Sequence, residues 1–114
     1  MDCIFCRIAA GDIPATIVAR NENGVAFRDL NPQAPTHVLV IPIRHFASAG
    51  DVPDTERAAV LGDLIRLGVQ VAAQLGLADA GYRMVINTGK QGGQTVDHLH
   101  LHLLGGRQMH WPPG

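Results

Sequence analysis

No charge of one sign dominates this chain: nine Lys and Arg stand against ten Asp and Glu, a formal −1 with histidines neutral, and the charges are scattered rather than blocked. That pattern excludes the electrostatic footprint needed to grip a nucleic-acid backbone, so any phosphate ligand must be held locally. Long apolar runs are missing too. No stretch approaches the roughly 20 residues that span a bilayer, and Met1-Asp2-Cys3 lacks the charged start of a signal peptide. The expectation is a soluble, cytoplasmic protein with neither membrane nor nucleic acid as partner. Cysteine is limited to Cys3 and Cys6, a spacing too local to staple a fold, which rules out a disulfide framework. Aromatics are sparse, at 4% of the chain. Histidine runs against this trend: there are six, and four of them fall within the last seventeen residues.

At 114 residues and 46% hydrophobic, the chain suffices for one domain, residues 1–114, with a real core, and is too short for two. Residues 3–10 read as a short helical turn ending near Gly11, with Pro14 blocking its continuation. Two β-rich runs follow, Thr16 to Arg20 and Gly24 to Asp29, and the Asn23-Gly24 step between them signals a hairpin. After the turn Asn31-Pro32-Gln33-Ala34-Pro35, the run His37 to Ile41 is apolar on both faces and predicts a central strand. From Asp54 to Leu75 the period changes. Leu61, Leu64, Ile65, Gly68, Val71, Ala72 and Leu75 recur at helical steps, with Asp54 or Thr55 as the expected cap and Gly76 as the stop. Strands are expected over Tyr82 to Asn87 and Asp97 to Leu104, joined by the glycine-rich loop Thr88 to Gln94. Five mostly antiparallel strands, one long helix and a short N-terminal helix define an α+β fold.

The last of these strands carries His98-Leu99-His100-Leu101-His102. Side chains alternate across a strand, so the three histidines share one face, each roughly 7 Å from the next, while the leucines pack under the long helix. Three imidazoles are poor core material because every ring has two nitrogens needing partners. They can be solvent-facing polar residues, ligands of a catalytic zinc, or a nucleophile with its supporting rings. In the last case a central imidazole, oriented through one nitrogen, attacks phosphorus with the other, and its neighbours meet the phosphoryl charge.

The run His98-Leu99-His100-Leu101-His102-Leu103-Leu104 matches the pattern His-apolar-His-apolar-His-apolar-apolar at every position. Together with Ile4-Phe5, Ile13-Pro14-Ala15, Asp29, Pro32 to His37, Ile41-Pro42, Tyr82-Arg83, Asn87 and Gly92-Gly93-Gln94, it makes the chain resemble the histidine-triad (HIT) family of nucleotide hydrolases and transferases. The ending Leu104 to Gly114 resembles the Hint branch. The resemblance implies hydrolysis of a purine nucleoside 5′-phosphoramidate through a nucleotidyl-histidine on His100. His102 would contact the α-phosphate and aid the leaving group, and His37 would be the fourth histidine of the site. Asn87, Gly93, Gln94, Thr95 and Val96 would surround the phosphate and leaving group. Asp29 would bind ribose hydroxyls, and Phe5, Phe27 and Leu30 would line the base pocket. It further implies a homodimer with a continuous ten-stranded sheet, in which the tail 105–114, around Trp111, approaches the partner's site. On the residues alone, Asp29 is as well placed to cap a turn, the glycine loop to be only a turn, and Phe5 and Phe27 to be plain core.

Thiolate and imidazole are ligands that zinc prefers. In a zinc-binding subset of the family the Cys pair is joined by a histidine after the Ile-Pro segment and by the first triad histidine, which implies a structural zinc on Cys3, Cys6, His45 and His98. The unliganded reading is two reduced, buried cysteines acting as small apolar residues. Two positions depart from the family pattern: Asp97 stands where an apolar residue is usual, and Thr95 where Ser is common. The rival functions are a nucleotidyl transferase or a dinucleoside polyphosphate hydrolase of the same family, and a zinc-stabilised nucleotide- or partner-binding module.

Overall fold

The computed structural model describes residues 3–114, so that Met1 and Asp2, read above as lacking a charged leader, lie outside the described residues. In chain order the elements are α1 (Ile4–Ala9), β1 (Ile17–Arg20), β2 (Gly24–Arg28), β3 (Thr36–Pro42), α2 (Asp54–Gln74), β4 (Tyr82–Ile86) and β5 (Leu101–Gly105), with one 3-10 turn at Ala49–Asp51. The strands form one sheet in the order β1-β2-β3-β5-β4, and every neighbouring pair runs antiparallel. The expected α+β architecture is therefore present. Among the described residues no helix is long and apolar enough to cross a membrane.

The period of two along the strands divides the core between the two faces of the sheet. Ala26, Val38, Val40, Leu101 and Leu103 point to one face, where they pack with Leu64, Leu67, Val71 and Ala72 of α2. Val25, Phe27, Leu39 and Ile41 point to the other, where Cys3, Phe5, Ile8 and Ala9 of the N-terminal segment cover them. Strand β3 is buried along nearly its whole length because both faces are covered. The hairpin joining β1 to β2 closes on Asn21, whose Oδ1 accepts the N–H groups of Asn23 at 2.9 Å and Gly24 at 2.8 Å.

The ends of two elements differ from expectation. Helix α2 has Pro53 at its cap position and no side-chain cap bond. Asp54 and Thr55 already lie inside the first turn and so cannot cap it; there Arg57 holds Asp54 Oδ1 at 3.3 Å and the Val52 carbonyl at 2.8 Å. At the other end Gly76, with φ +76°, stops the helix as expected. The last strand begins at Leu101 rather than Asp97. Its ladder starts where Leu101 pairs with Val40 of β3 and Ile86 of β4. Upstream of that point Leu99 gives its N–H to the Phe46 carbonyl at 2.7 Å, and the chain leaves the sheet. His98 and His100 therefore sit on a buried loop that feeds the strand, and only His102 is on the strand itself.

Leu101 is 1% exposed and lies between α2 and the sheet. Truncation of Leu101 to Ala is expected to lower the unfolding free energy by about 2–5 kcal/mol, read as a shift of the urea midpoint without change of slope.

Candidate active site

The N-terminal segment, β3, the loops that follow β2 and β3, the loop 97–100 and β5 bring eight chemically able side chains to the sheet face opposite α2. Two groups of ligand-type atoms result, Cys3, Cys6, His45 and His98 in one and Asp29, His37 and His102 in the other, each with its atoms within 4.8 Å of one another. His100 lies between them. Phe5 packs edge-on against both flanks of the run, 5.9 Å from the His98 ring and 5.2 Å from that of His100, and against Phe27 at 5.5 Å.

Main-chain partners decide the protonation of each ring. His98 Nε2 lies 2.9 Å from the Pro42 carbonyl. A carbonyl only accepts, so Nε2 carries the proton and Nδ1 offers a lone pair. That Nδ1 faces Cys3 Sγ at 3.3 Å, Cys6 Sγ at 3.5 Å and His45 Nδ1 at 3.2 Å, and Cys6 Sγ is 3.3 Å from His45 Nδ1. A tetrahedral zinc with bonds of about 2.3 Å to sulfur and about 2.0–2.1 Å to nitrogen keeps its ligand atoms roughly 3.3–3.7 Å apart. The four atoms already have nearly that spacing, and the donor set is one zinc favours. Burial, with the neighbouring Cys3, holds the Cys6 thiol above its ordinary range, a cost that a bound cation would offset.

His100 Nδ1 is 2.7 Å from the carbonyl of His98 and donates to it, leaving Nε2 unprotonated. The second group obeys the same logic with the direction reversed. The backbone N–H of Gln33 donates to His37 Nδ1 at 3.0 Å, so the His37 proton resides on Nε2. From there it points to His102 Nδ1 at 2.9 Å, with Asp29 Oδ2 3.4 Å away from the same nitrogen. His102 therefore accepts at Nδ1 and carries its own proton on Nε2. A ring that must keep its proton on Nε2 has no lone pair there for an ion, so the Asp29, His37 and His102 group is a hydrogen-bond relay and not a metal seat. The His100 and His102 ring centroids are 5.0 Å apart.

Burial favours the neutral form of His37, His98 and His102. It is the main cause that lowers His37 and His98 below the ordinary histidine range, and that pushes His102 down to about 4, with His100 and His37 adding like-charge repulsion at His102.

A family model for the HIT domain matches residues 10–109. The chain belongs to the HIT family. It is 52% identical to a 14 kDa zinc-binding protein of Zea mays, over 97% of this chain and 87% of that one. It is 46% identical to the adenylylsulfatase HINT1 of Arabidopsis thaliana, over 97% of this chain and 76% of that one. Among solved structures, a HIT family hydrolase from Legionella pneumophila superposes with a TM-score of 0.95 at 51% identity, covering 99% of this chain and 100% of that one.

Within this HIT fold the residues singled out from the sequence are placed unequally. Phe5, Phe27, Asp29, His37, His100 and His102 converge. Asn87 and Gln94 are turned to the glycine loop: Asn87 Nδ2 donates to the Gly92 carbonyl at 2.7 Å, and Gln94 bridges Gly89, Ala47 and Val96. Thr95 and Val96 line a cavity of about 610 Å³ beside Cys3 and His45. In the single chain Leu30 is 97% and Trp111 83% exposed. The sequence reading missed the groups that set the tautomers, the Pro42 and His98 carbonyls and the Gln33 N–H. Main-chain groups have no residue-type signature, and only the fold reveals which of them point at a ring.

The lowered histidines make stability depend on pH with a definite sign. The folded chain resists protonation at His102 until about 4, whereas the unfolded chain takes up that proton below about 6.5. This ring's contribution to stability is therefore constant above about 6.5, falls as pH drops towards about 4, and no longer changes below that. Urea midpoints measured across that range should fall less steeply in His102→Gln than in the parent chain.

Proposed function

We propose that this HIT protein hydrolyses purine nucleoside 5′-phosphoramidates through a covalent nucleotidyl intermediate on His100. One observation carries the reading: His100 is held with its proton on Nδ1 by a backbone carbonyl, which leaves Nε2 as a free nucleophile beside a ring that carries a proton on Nε2. Relatives named as a HIT family hydrolase and as an adenylylsulfatase support chemistry at a nucleotide phosphate.

In the first step His100 Nε2 attacks the α-phosphorus. A bond forms from nitrogen to phosphorus, the bond to the leaving amine breaks, and the amine departs with its electron pair and a proton handed over by His102 Nε2. His102 Nε2–H meets the phosphoryl oxygens and assists that departure, while His37 and Asp29 hold its tautomer. In the second step water attacks phosphorus and gives up a proton to His102 Nε2, the bond to His100 breaks with its electron pair returning to Nε2, and the nucleoside monophosphate leaves. Two easier displacements replace one hard one. Asp29 doubles as the acceptor for ribose hydroxyls. Phe5, Phe27 and Leu30 form the base pocket. Asn87 and Gln94 shape the loop whose Gly93, Thr95 and Val96 surround the phosphate and the leaving group.

Cys3, Cys6, His45 and His98 would hold the zinc, and the ion's contribution is structural, tying the N-terminal segment to the loop that presents His100. The active unit is a homodimer. Its support is the open edge of β4, all five of whose residues are half-buried, beside Ile65 and Val69 of α2, 42% and 44% exposed on one helix stripe. Trp111 from the partner's tail then reaches the site. The whole of residues 1–114 acts as one domain in the cytoplasm.

Mixing the protein with adenosine 5′-phosphoramidate, quenching rapidly and weighing the intact chain is expected to show an acid-labile adduct that His100→Ala lacks. Turnover without adduct, abolished by chelation, would replace this reading with metal catalysis, and tight AMP binding without turnover would replace it with a binding module. Metal analysis of the purified protein should find one zinc per chain. Its removal should lower the melting temperature by several degrees while the adduct still forms, and Cys6→Ser should show the same lowered melting temperature without chelator.

A further inference from the structure

We propose that Arg107 is a positioning residue for this reaction, acting on His102 through the turn that carries Gln33. The inference rests on the hydrolase reading above. Arg107 lies two residues beyond the end of β5, far along the chain from the turn it touches. Its Nε–H donates to the Gln33 carbonyl at 3.1 Å and its Nη1 to the Gln108 carbonyl at 3.2 Å. Close packing supports the bond. Gly106 has φ +92°, and a Cβ there would come within 2.8 Å of the Pro35 Cβ, so the chain leaving β5 presses directly on the same turn. The register pins both ends, with Thr36 opposite Gly105 and His37 opposite Leu104.

What the turn holds explains why the contact matters. Residues 31–35 lie outside the sheet and are stitched by short-range bonds: Asn31 N–H to Asp29 Oδ1 at 2.8 Å, and Gln33 Nε2 to the Asn31 carbonyl at 3.0 Å. The third stitch is the Gln33 N–H to His37 Nδ1 at 3.0 Å, the bond that assigns the His37 proton to Nε2. If Gln33 moves away, His37 can carry its proton on Nδ1 instead. Its Nε2 lone pair would then confront the Nδ1 lone pair of His102, whose proton would shift to Nδ1 to restore the bond. His102 would have no N–H left to offer the phosphoryl group. A residue at the surface that never touches substrate thus selects which nitrogen of His102 is the donor. Outer groups that orient an imidazole are worth about 10–100-fold where they have been removed at metal sites, and a wrong tautomer costs more.

The test uses the full chain with its metal, comparing Arg107→Ala and Arg107→Lys. Steady-state hydrolysis of adenosine 5′-phosphoramidate is measured beside the imidazole 15N spectrum at a pH where the rings are neutral. Arg107→Ala is expected to lower kcat about tenfold with KM within about twofold, and to draw the two His37 nitrogen shifts towards their average. Arg107→Lys, which still donates to the Gln33 carbonyl, should recover most of kcat and the separated shifts. An unchanged kcat in Arg107→Ala overturns the proposal, and so does a lowered kcat with the His37 shifts unmoved. If the parent chain neither turns over nor forms the His100 adduct, the hydrolase reading fails on its own. The nitrogen shifts then still decide whether Arg107 holds His37.

Discussion

An imidazole has two nitrogens and, when neutral, one proton, and the arrangement of this site depends on main-chain groups that decide where each proton sits. The carbonyl of His98 is the central one. It holds His100 Nδ1 at 2.7 Å and so leaves Nε2 unprotonated, and it belongs to a residue whose own ring is fixed by the carbonyl of Pro42. A hydrogen bond from a ring to a buried carbonyl has no water to compete with it, so the preference for one tautomer is larger than at a surface. The same peptide chain thus carries a ring aimed at the cysteines and, two residues on, a ring aimed the other way.

The fold exists in a form that makes this possible. α2 covers one face of the sheet with aliphatic side chains, and the leucines between the histidines all go there. The other face is left for α1 and the polar groups, where Phe5 packs edge-on against the rings of His98 and His100. Apolar packing holds the backbone, and the backbone in turn holds the imidazoles. Burial then favours the neutral form of His37 and His102, which suits a relay in which each ring uses a lone pair.

Much of this was legible in the residues. The period of α2, the Asn-Gly hairpin, the doubly apolar β3 and the alternation of His with Leu all follow from side-chain type, and the structure has them. The extent of β5 did not follow. His98 to Leu101 alternates in residue type as a strand would, yet His98 to His100 form a buried loop, because a side-chain pattern records which face a residue packs on and not whether its N–H finds a ladder partner. The Cys3, Cys6, His45 and His98 group was legible only through resemblance, since its members come from three separate stretches. The bonds from Gln33 and Arg107 were not legible, because one is a main-chain group in a turn and the other joins residues far apart in the chain that only the fold brings together.

The early end of β5 has a consequence for anyone reshaping this sheet. Extending the strand backwards to Asp97 would make it longer and more regular, and a designer judging by ladder length would favour the change. It would also draw the carbonyl of His98 and the N–H of Leu99 into inter-strand pairing, taking from His100 the acceptor that holds its proton. A more perfect sheet would leave the proton of His100 without the partner that fixes it.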